Sequence, residues 1–245
     1  MTALLEVDRV SKSYGALRAA DEVSFTVTTG ETLGIIGPNG AGKTTLFNLI
    51  GGDARPDVGR IRLAGRDITA LAPHERCRIG IGRTYQVPHP FDGMTVFENL
   101  LVAAAFGGGK PEQAASQVAA SVIRRTGLAG KANQLAGSLT LLDRKRMELA
   151  RALSTEPKLL LLDEIAGGLT EPEARELVEL VRWIGAQGVT IIWIEHVVHA
   201  LLAVATRLLV MNFGATLTEG HPHKVMASPE VKRVYMGIEP EEAIT

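Results

Sequence analysis

Alternating hydrophobic and polar positions near the start of the chain predict antiparallel strands. Leu4–Val10 alternates in this way, and Val23–Val27 alternates again. Residues 60–68, with the sequence RIRLAGRDI, alternate on both sides of Ala64 and Gly65, which is typical of a hairpin. The start of the chain is therefore predicted to be rich in antiparallel strands.

A helical pattern replaces this alternation further along the chain. Val96 and Leu100 are spaced as on one face of a helix, and an alanine-rich second helix is predicted over Glu112–Arg125. The stretch 107–111, GGGKP, separates the two helices because glycine and proline interrupt regular structure. We predict a helical insertion at residues 88–155.

Two runs of consecutive hydrophobic residues predict strands that are buried on both faces of a parallel sheet. They are Lys158–Leu162 and Thr190–Ile194, and a predicted helix at Glu173–Gln187 connects them. A further strand is predicted at Arg207–Met211 and a terminal helix at Pro229–Met236. The pattern as a whole predicts an α/β protein with a mixed-sheet core.

Composition narrows the class of protein. The 245 residues are 46% hydrophobic but only 4% aromatic, so the core is predicted to be mainly aliphatic. The formal charge of −1 argues against a nucleic-acid partner, since such proteins usually carry a basic excess. A single cysteine, Cys77, fits a reducing compartment. No run approaches the about 20 apolar residues that a membrane helix needs, and Met1–Val10 lacks the pattern of a secretion signal.

The segment Gly37–Thr44, GPNGAGKT, matches the phosphate-binding pattern G-x-x-x-x-G-K-[ST]. It follows the short apolar strand Leu33–Ile36 and precedes a predicted helix, Gly42–Leu49. Its glycines let backbone N–H groups face an anion at a helix N-terminus. Lys43 is expected to meet the β- and γ-phosphates of ATP, and the Thr44 hydroxyl to bind Mg²⁺. The predicted nucleotide-binding residues of this loop are Gly37, Pro38, Asn39, Gly40, Ala41, Gly42, Lys43, Thr44 and Thr45.

Two acidic residues end the predicted buried strand in the sequence LLLLDE. Successive strand residues point to opposite sides, so Asp163 and Glu164 can serve different purposes. Asp163 is expected to hold the magnesium ion through its water shell. Glu164 is expected to act as the general base that polarises the attacking water.

With these motifs the sequence resembles the ATP-binding subunits of ABC transporters over essentially its whole length. Three further landmarks of that family occur in order. The resemblance implies that Tyr14 stacks on adenine, that Gln86 reaches the metal and the attacking water, and that His196 contacts the γ-phosphate.

The resemblance also implies a P-loop NTPase fold with an antiparallel β subdomain and an α-helical subdomain. Residues 1–245 would then form a single domain. Its core and antiparallel part would comprise 1–87 and 156–245, and its helical subdomain 88–155. A short helix of a membrane-embedded permease would dock near residues 86–99.

The implied function is that of an ATP-hydrolysing motor subunit of a transporter. The stretches IGRTYQ, MTVFENLLVAA and GATLTEGHPHKVMASPEVKRVYMG resemble the ATPases of branched-chain amino acid importers. Subunits for urea or amide import or for lipopolysaccharide export, and ABC ATPases outside transport, remain alternatives. The implied partners are a second ATP-binding subunit, permease subunits that hold the chain at the cytoplasmic face of the membrane, and indirectly a solute-binding protein.

The chain departs from the family at the signature segment, usually L-S-G-G-Q, which reads Leu139-Thr140-Leu141-Leu142-Asp143 here. Leucine side chains replace two glycines where the family's backbone approaches the phosphate that the other subunit holds. Thr140 and Asp143 form the pattern of a capping box, in which a carboxylate would occupy the helix N-terminus and repel phosphate. We therefore expect a degenerate signature, and an asymmetric pair of sites.

Overall fold

The computed structural model describes residues 3–236 of the chain. Its strands are β1 (Ala3–Tyr14), β2 (Leu17–Thr28), β3 (Thr32–Ile36), β4 (Val58–Leu63), β5 (Arg66–Asp67), β6 (Ile81–Arg83), β7 (Leu159–Asp163), β8 (Thr190–Ile194), β9 (Arg207–Asn212) and β10 (Ala215–Gly220). Its α-helices are α1 (Lys43–Gly51), α2 (Pro73–Arg78), α3 (Val96–Val102), α4 (Glu112–Arg125), α5 (Leu141–Ser154), α6 (Glu171–Ala186), α7 (Val198–Leu202), α8 (Pro222–Ala227) and α9 (Pro229–Met236).

The strands near the start of the chain form an antiparallel sheet in the order β2-β1-β4-β5. The predicted hairpin is confirmed, since β4 and β5 pair across a turn at Ala64 and Gly65. The two predicted strands before it are longer than their alternation indicated. The register of the β1–β2 pair shifts between Val7 and Val10 and again towards Lys12, so regular alternation ends while the pairing continues.

The remaining strands form a six-stranded mixed sheet in the order β10-β9-β3-β8-β7-β6. All pairs are parallel except β10 with β9, which confirms the expected mixed-sheet α/β architecture. Every residue of β3, β7 and β8 is buried, which confirms the burial on both faces that was predicted for β7 and β8. The loops that follow these three strands lie at one edge of the sheet, because the strands run in the same direction.

Hydrophobic clusters cover both faces of this sheet. One cluster joins it to the antiparallel sheet and to α1, whose Leu46 and Phe47 are fully buried. The opposite face packs against α5 and α6, where Leu149 and Leu177 surround Trp193 of β8. Helix α1, which follows the phosphate-binding loop, is therefore held firmly between the two sheets.

The helical pattern after residue 95 also appears in the structure. Val96, Leu100, Ile123 and Met147 form a separate cluster that joins α3, α4 and α5. A π-helical turn at Ala103–Gly107 extends α3, and α4 begins beyond the glycine-rich break. Helix α5 contributes to two hydrophobic clusters, because its other side packs against the six-stranded sheet.

A buried arginine anchors the end of α1. Arg76 is 0% exposed, and its guanidinium donates to the carbonyl oxygens of Leu49, Ile50, Leu71 and Thr69. Leu49 and Ile50 lie in the last turn of α1, where carbonyl groups lack partners within the helix. Burial lowers the pKa of Arg76 to about 10, so the side chain stays charged at neutral pH.

Replacing Arg76 with methionine is expected to lower the free energy of unfolding by about 2–4 kcal/mol, because buried carbonyls then lose charged donors. Denaturant unfolding of the purified protein measures this change. Arg78→Met is the matched control, since Arg78 is an exposed arginine on the same short helix. Equal stability of the two variants would contradict the anchoring role of Arg76.

Candidate functional site

The phosphate-binding loop leaves β3 at its carboxyl end and enters α1 through Gly42. The φ angle of Gly42 is 96°, and a Cβ atom there would lie 2.2 Å from the backbone oxygen of Ala19. A Cβ atom at Gly37 would lie 2.3 Å from the backbone oxygen of Met211. Both positions therefore require glycine, because the backbone of β2 or β9 passes directly against the loop.

Lys43 lies inside the curve of this loop. The residue is 6% exposed, and its Nζ donates to the backbone oxygens of Gly37 at 2.8 Å and Pro38 at 3.0 Å. Burial lowers the pKa of Lys43, and the nearby carboxylates of Glu164 and Asp163 oppose this effect. A buried ammonium at a helix N-terminus makes the loop a site for anions.

Glu164 faces the loop and has two polar partners. Gln86 Nε2 donates to Glu164 Oε2 at 2.6 Å, and His196 Nε2 lies 2.6 Å from Glu164 Oε1. The structure thus brings together three residues that lie far apart in the sequence. Each comes from the loop after one of three adjacent parallel strands, β6, β7 and β8.

A cavity of about 230 Å³ lies between the phosphate-binding loop and the Glu164–His196 pair. It is lined by Leu17, Ala19, Asn39, Gly40, Ala41, Gly42, Lys43, Thr44, Thr45, Glu164 and His196. Leu17 and Ala19 come from β2 and were missed in the sequence, where they are ordinary apolar residues of a strand. Tyr14 lies outside the lining, pairs with Leu17 across the β1–β2 turn and is 49% exposed.

Asp163 ends β7 beside Glu164 and is 5% exposed. Its Oδ2 lies 3.4 Å from Arg83 Nη2, and the same guanidinium contacts Asp53 and Asn48. Burial raises the pKa of Asp163, whereas the charge of Arg83 opposes that rise. Arg83 is a third residue that sequence reasoning missed, although it lies within the stretch IGRTYQ.

The signature segment begins α5 and contributes no residue to this cavity. The predicted capping box is only half formed. Thr140 Oγ1 accepts from the Asp143 N–H at 3.3 Å, but the Asp143 carboxylate accepts from the Thr140 hydroxyl at 2.6 Å rather than from the Thr140 backbone. Lys131 also pairs with this carboxylate, which is why the pKa of Asp143 is lowered although burial opposes that.

The expectation that Asp143 presents a repelling negative charge is therefore wrong, since Lys131 neutralises it. The glycine positions of the family's signature are occupied by larger side chains. Leu141 is 45% exposed, and its Cδ2 would lie 3.4 Å from a Cβ atom at Gly168. The segment thus has an exposed leucine side chain at Leu141, and its buried Asp143 carboxylate is paired with Lys131.

Within residues 3–236, every helix is too short or too polar to cross a lipid bilayer.

Comparison with known proteins gives consistent matches over nearly the whole chain. The pattern that defines the ABC transporter family matches residues 20–167. The lipopolysaccharide export system ATP-binding protein LptB of Acidithiobacillus ferridurans is 36% identical over 244 residues, which cover 97% of this chain and 98% of that protein. The high-affinity branched-chain amino acid transport ATP-binding protein LivG of Salmonella typhimurium is 36% identical and covers 96% of this chain and 98% of its own length.

Solved structures agree with these relatives. A nucleotide-free ATP-binding cassette from an ABC transporter superposes with a TM-score of 0.87 at 31% identity, covering 97% of this chain and 100% of that one. The ADP conformation of the cassette MJ1267 gives a TM-score of 0.87 at 32% identity with the same coverage. The chain belongs to the ABC transporter family, as an ATP-binding subunit.

Proposed function

We propose that the cavity between the phosphate-binding loop and Glu164 is the site at which this subunit hydrolyses ATP. The observation that carries this proposal is the Glu164 carboxylate, which is joined to Gln86 and His196 opposite the buried ammonium of Lys43. A cation and backbone N–H groups can hold the phosphates on one side. A carboxylate can take a proton from water on the other.

The residues of the site fit both ATP and a magnesium ion. Close backbone contacts at Gly37 and Gly42 fix a narrow cradle that side chains would fill, and Lys43 supplies a buried positive charge. The Thr44 hydroxyl and the Asp163 carboxylate are the hard oxygen donors that Mg²⁺ prefers. Bound Mg²⁺ would neutralise charge on the phosphate oxygens.

The proposed roles of this chain's own side chains follow from their positions. Glu164 accepts the proton of the attacking water, and Gln86 and His196 hold its two oxygen atoms in place. His196, which is half-exposed beside the cavity, can also contact the γ-phosphate. Tyr14 is exposed at the tip of the β1–β2 hairpin next to the cavity-lining Leu17, a position suited to stacking on adenine.

We infer that the transported solutes are branched-chain amino acids. LivG of Salmonella typhimurium and the branched-chain amino acid transport protein BraF of Pseudomonas aeruginosa are 36% and 35% identical to this chain. Lipopolysaccharide export is the second candidate, because LptB is also 36% identical over nearly the same length.

Deleting the gene in its native host separates these two candidates. We expect the deletion strain to lose energy-dependent uptake of labelled leucine, isoleucine and valine, and a plasmid copy to restore it. A copy with Glu164→Gln serves as the control and should fail to restore uptake. Normal uptake together with a loss of surface lipopolysaccharide would support the second candidate instead.

We propose that permease subunits dock along residues 86–99 and hold the chain at the cytoplasmic face of the membrane. Val87, Phe91 and Met94 are exposed apolar residues of this stretch, and exposed apolar groups in series are suited to a protein interface. The guanidinium of Arg151 lies 5.8 Å from the ring of Phe91, so the stretch is braced by α5. Residues 88–155 would form the helical subdomain next to this interface, between core parts at 1–87 and 156–245.

We propose that the subunit works in a pair whose two sites are unequal. The phosphate-binding loop and Glu164 retain the lysine, the hydroxyl and the carboxylate to which roles in hydrolysis are assigned above. The Thr140–Asp143 segment has leucines at both glycine positions, and its Asp143 carboxylate is already bonded to Thr140 and Lys131. The site that this segment completes for a facing subunit would therefore be impaired, and a sister ATP-binding subunit is the partner that this arrangement favours.

Restoring the segment by Leu141→Gly, Leu142→Gly and Asp143→Gln is expected to raise ATP turnover of the assembled complex. The backbone can then approach phosphate, which leucine side chains prevent. Steady-state ATPase assays of complexes with the original and restored segments measure the change. Unchanged turnover would contradict the impairment, as would a preparation of this chain alone that hydrolyses ATP as fast as the mixed complex.

A further inference from the structure

A buried lysine of α5 donates hydrogen bonds to the backbone of Glu164, the proposed catalytic residue, and to that of its partner Gln86. Lys145 is 4% exposed, and its Nζ donates to the backbone oxygen of Gln86 at 2.9 Å and to that of Glu164 at 3.2 Å. The two carbonyls belong to loops after different strands, β6 and β7. One ammonium therefore bridges the backbones of the two residues whose side chains meet at the site.

The backbone conformation of Glu164 requires such support. Its φ angle is 47°, in the left-handed region, which is strained for a residue with a side chain. Its N–H donates to the Ile194 oxygen at 2.9 Å, and Lys145 holds its carbonyl. Two residues later, the Ala166 N–H donates to the buried carboxylate of Glu195 at 3.1 Å. The turn at Glu164 is thus fixed from three directions.

Lys145 also lies on the side of α5 that holds the Gln86 segment. Residues three apart share a helix face, and Glu148 and Arg151 follow Lys145 at this spacing. Arg151 donates to the backbone oxygen of His89 and lies 3.6 Å from Glu148. Burial raises the pKa of Glu148, which the charge of Arg151 opposes. This face of α5 therefore grips the segment 86–89 at more than one point.

Several carboxylates near Lys145 favour its charged form. Burial lowers the pKa of Lys145, but the carboxylates of Glu195, Glu164 and Glu148 oppose this effect. If Lys145 served only to fill space, an apolar residue of similar size could take its place without the loss of any hydrogen bond. Here its two bonds go to carbonyls of the site, which indicates a specific purpose.

We propose that Lys145 is a positioning residue for ATP hydrolysis, whose ammonium holds Gln86 and Glu164 of its own chain in register. This proposal rests on the roles proposed above for Gln86 and Glu164. Lys145 lines no part of the cavity, so it acts through these two residues rather than on the nucleotide. Because α5 begins at Leu141, the same helix connects the signature segment to the catalytic carboxylate.

The first test is the variant Lys145→Met in the complex that hydrolyses ATP. We expect kcat to fall by about 10- to 100-fold, since small displacements of catalytic groups have effects of this size. The Kd for ATP should stay within about twofold, because the phosphate-binding loop is untouched. Lys232→Met, at an exposed lysine of α9, is the control and should change neither quantity. A kcat of Lys145→Met within about twofold of wild type would overturn the proposal.

A double-mutant cycle with Gln86→Ala distinguishes positioning from a general structural role. If Lys145 acts through Gln86 and Glu164, the loss of kcat caused by Lys145→Met should shrink in the Gln86→Ala background. Full multiplication of the two losses would overturn the proposal. The wild type and Glu164→Gln are measured alongside, so a wild type that hydrolyses no ATP exposes failure of the proposed function instead.

Hydrogen exchange of the isolated chain gives a readout that needs no activity. In Lys145→Met, the backbone amides of residues 84–87 and 164–168 should exchange faster, whereas those of 39–45 should not change. Lys145→Gln, whose shorter amide can reach only one carbonyl, is the second variant should methionine prevent folding. It should show a smaller rise in exchange in the same two segments, and protection equal to wild type would overturn the proposal.

Discussion

Replacing Glu164 with glutamine is expected to lower kcat for ATP hydrolysis by about two to three orders of magnitude while the Kd for ATP stays within about twofold. Glutamine has the same shape, so it can keep its place between Gln86 and His196, but its amide cannot accept the proton of the attacking water. Phosphate release by the assembled complex measures kcat, and titration with ATP measures Kd.

The matched control is Glu171→Gln, at a glutamate whose side chain is 72% exposed on the first turn of α6. This variant removes one negative charge just after the loop that contains Glu164, and it is expected to change kcat by less than about twofold. A Glu164→Gln complex that hydrolyses ATP at the wild-type rate would remove Glu164 from the role of general base. Loss of ATP binding in the same variant would instead indicate that Glu164 shapes the cavity.

Local patterns were enough to predict most of the architecture. β3, β7 and β8 are buried on both faces, so their sequences are apolar apart from the threonine that begins β3 and β8 and the carboxylate that ends β7. Strands β1 and β2 were predicted too short, because bulges shift the side chains from one face to the other while pairing continues. Periodicity reports which face a side chain occupies, and it fails where that face changes.

The predicted site residues divide according to how their contacts arise. The phosphate-binding loop is contiguous, so its pattern can be read directly from the sequence. The contacts among Gln86, Glu164 and His196 join three separate loops, and only the order of parallel strands places them side by side. The resemblance supplied Gln86 and His196, whereas Glu164 was predicted from its place at the end of a buried strand. Spacing along the chain could not have predicted that the three residues meet.

Charged residues that bind distant parts of the chain were the hardest to predict. Lys145 lies in the charged stretch DRKRMELAR and Arg83 in the stretch IGRTYQ, and nothing local indicates that either side chain is largely covered. Lys145 binds the carbonyl of Gln86, 59 residues away, and Arg83 binds the carboxylate of Asp163, 80 residues away. A sequence pattern describes side chains, whereas a hydrogen bond to a distant carbonyl depends only on the path of the backbone.

At the signature segment, the carboxylate was predicted in the right place, but its effect on an incoming phosphate was predicted wrongly. The pattern of Thr140 and Asp143 predicted a carboxylate at the start of α5, and the carboxylate is there. Lys131, twelve residues earlier, folds back and pairs with it. The leucines at 141 and 142 therefore carry the argument for an impaired site, rather than electrostatic repulsion.

Replacing Lys43 with alanine is expected to abolish useful ATP binding, with Kd raised by at least about thirtyfold. Losing one partner of a buried charge pair costs about 2–5 kcal/mol, and about 1.4 kcal/mol corresponds to a tenfold change in affinity. Lys43 is the buried cation that lies within the loop itself, and its Nζ already reaches the curve formed by Gly37 and Pro38. Isothermal titration with ATP in the presence of Mg²⁺ measures the loss.

Thermal unfolding provides an independent measurement of the same prediction. A ligand that binds only the folded state stabilises it by RT ln(1 + [L]/Kd), so ATP should raise the Tm of the wild type and of the control Lys224→Ala, at an exposed lysine of α8. The Lys43→Ala protein should show no rise at the same ATP concentration, although its Tm without nucleotide lies close to that of the wild type. An equal ATP-dependent rise in Tm of the wild type and of Lys43→Ala would contradict the prediction, because it would show that the nucleotide is held without the Lys43 ammonium.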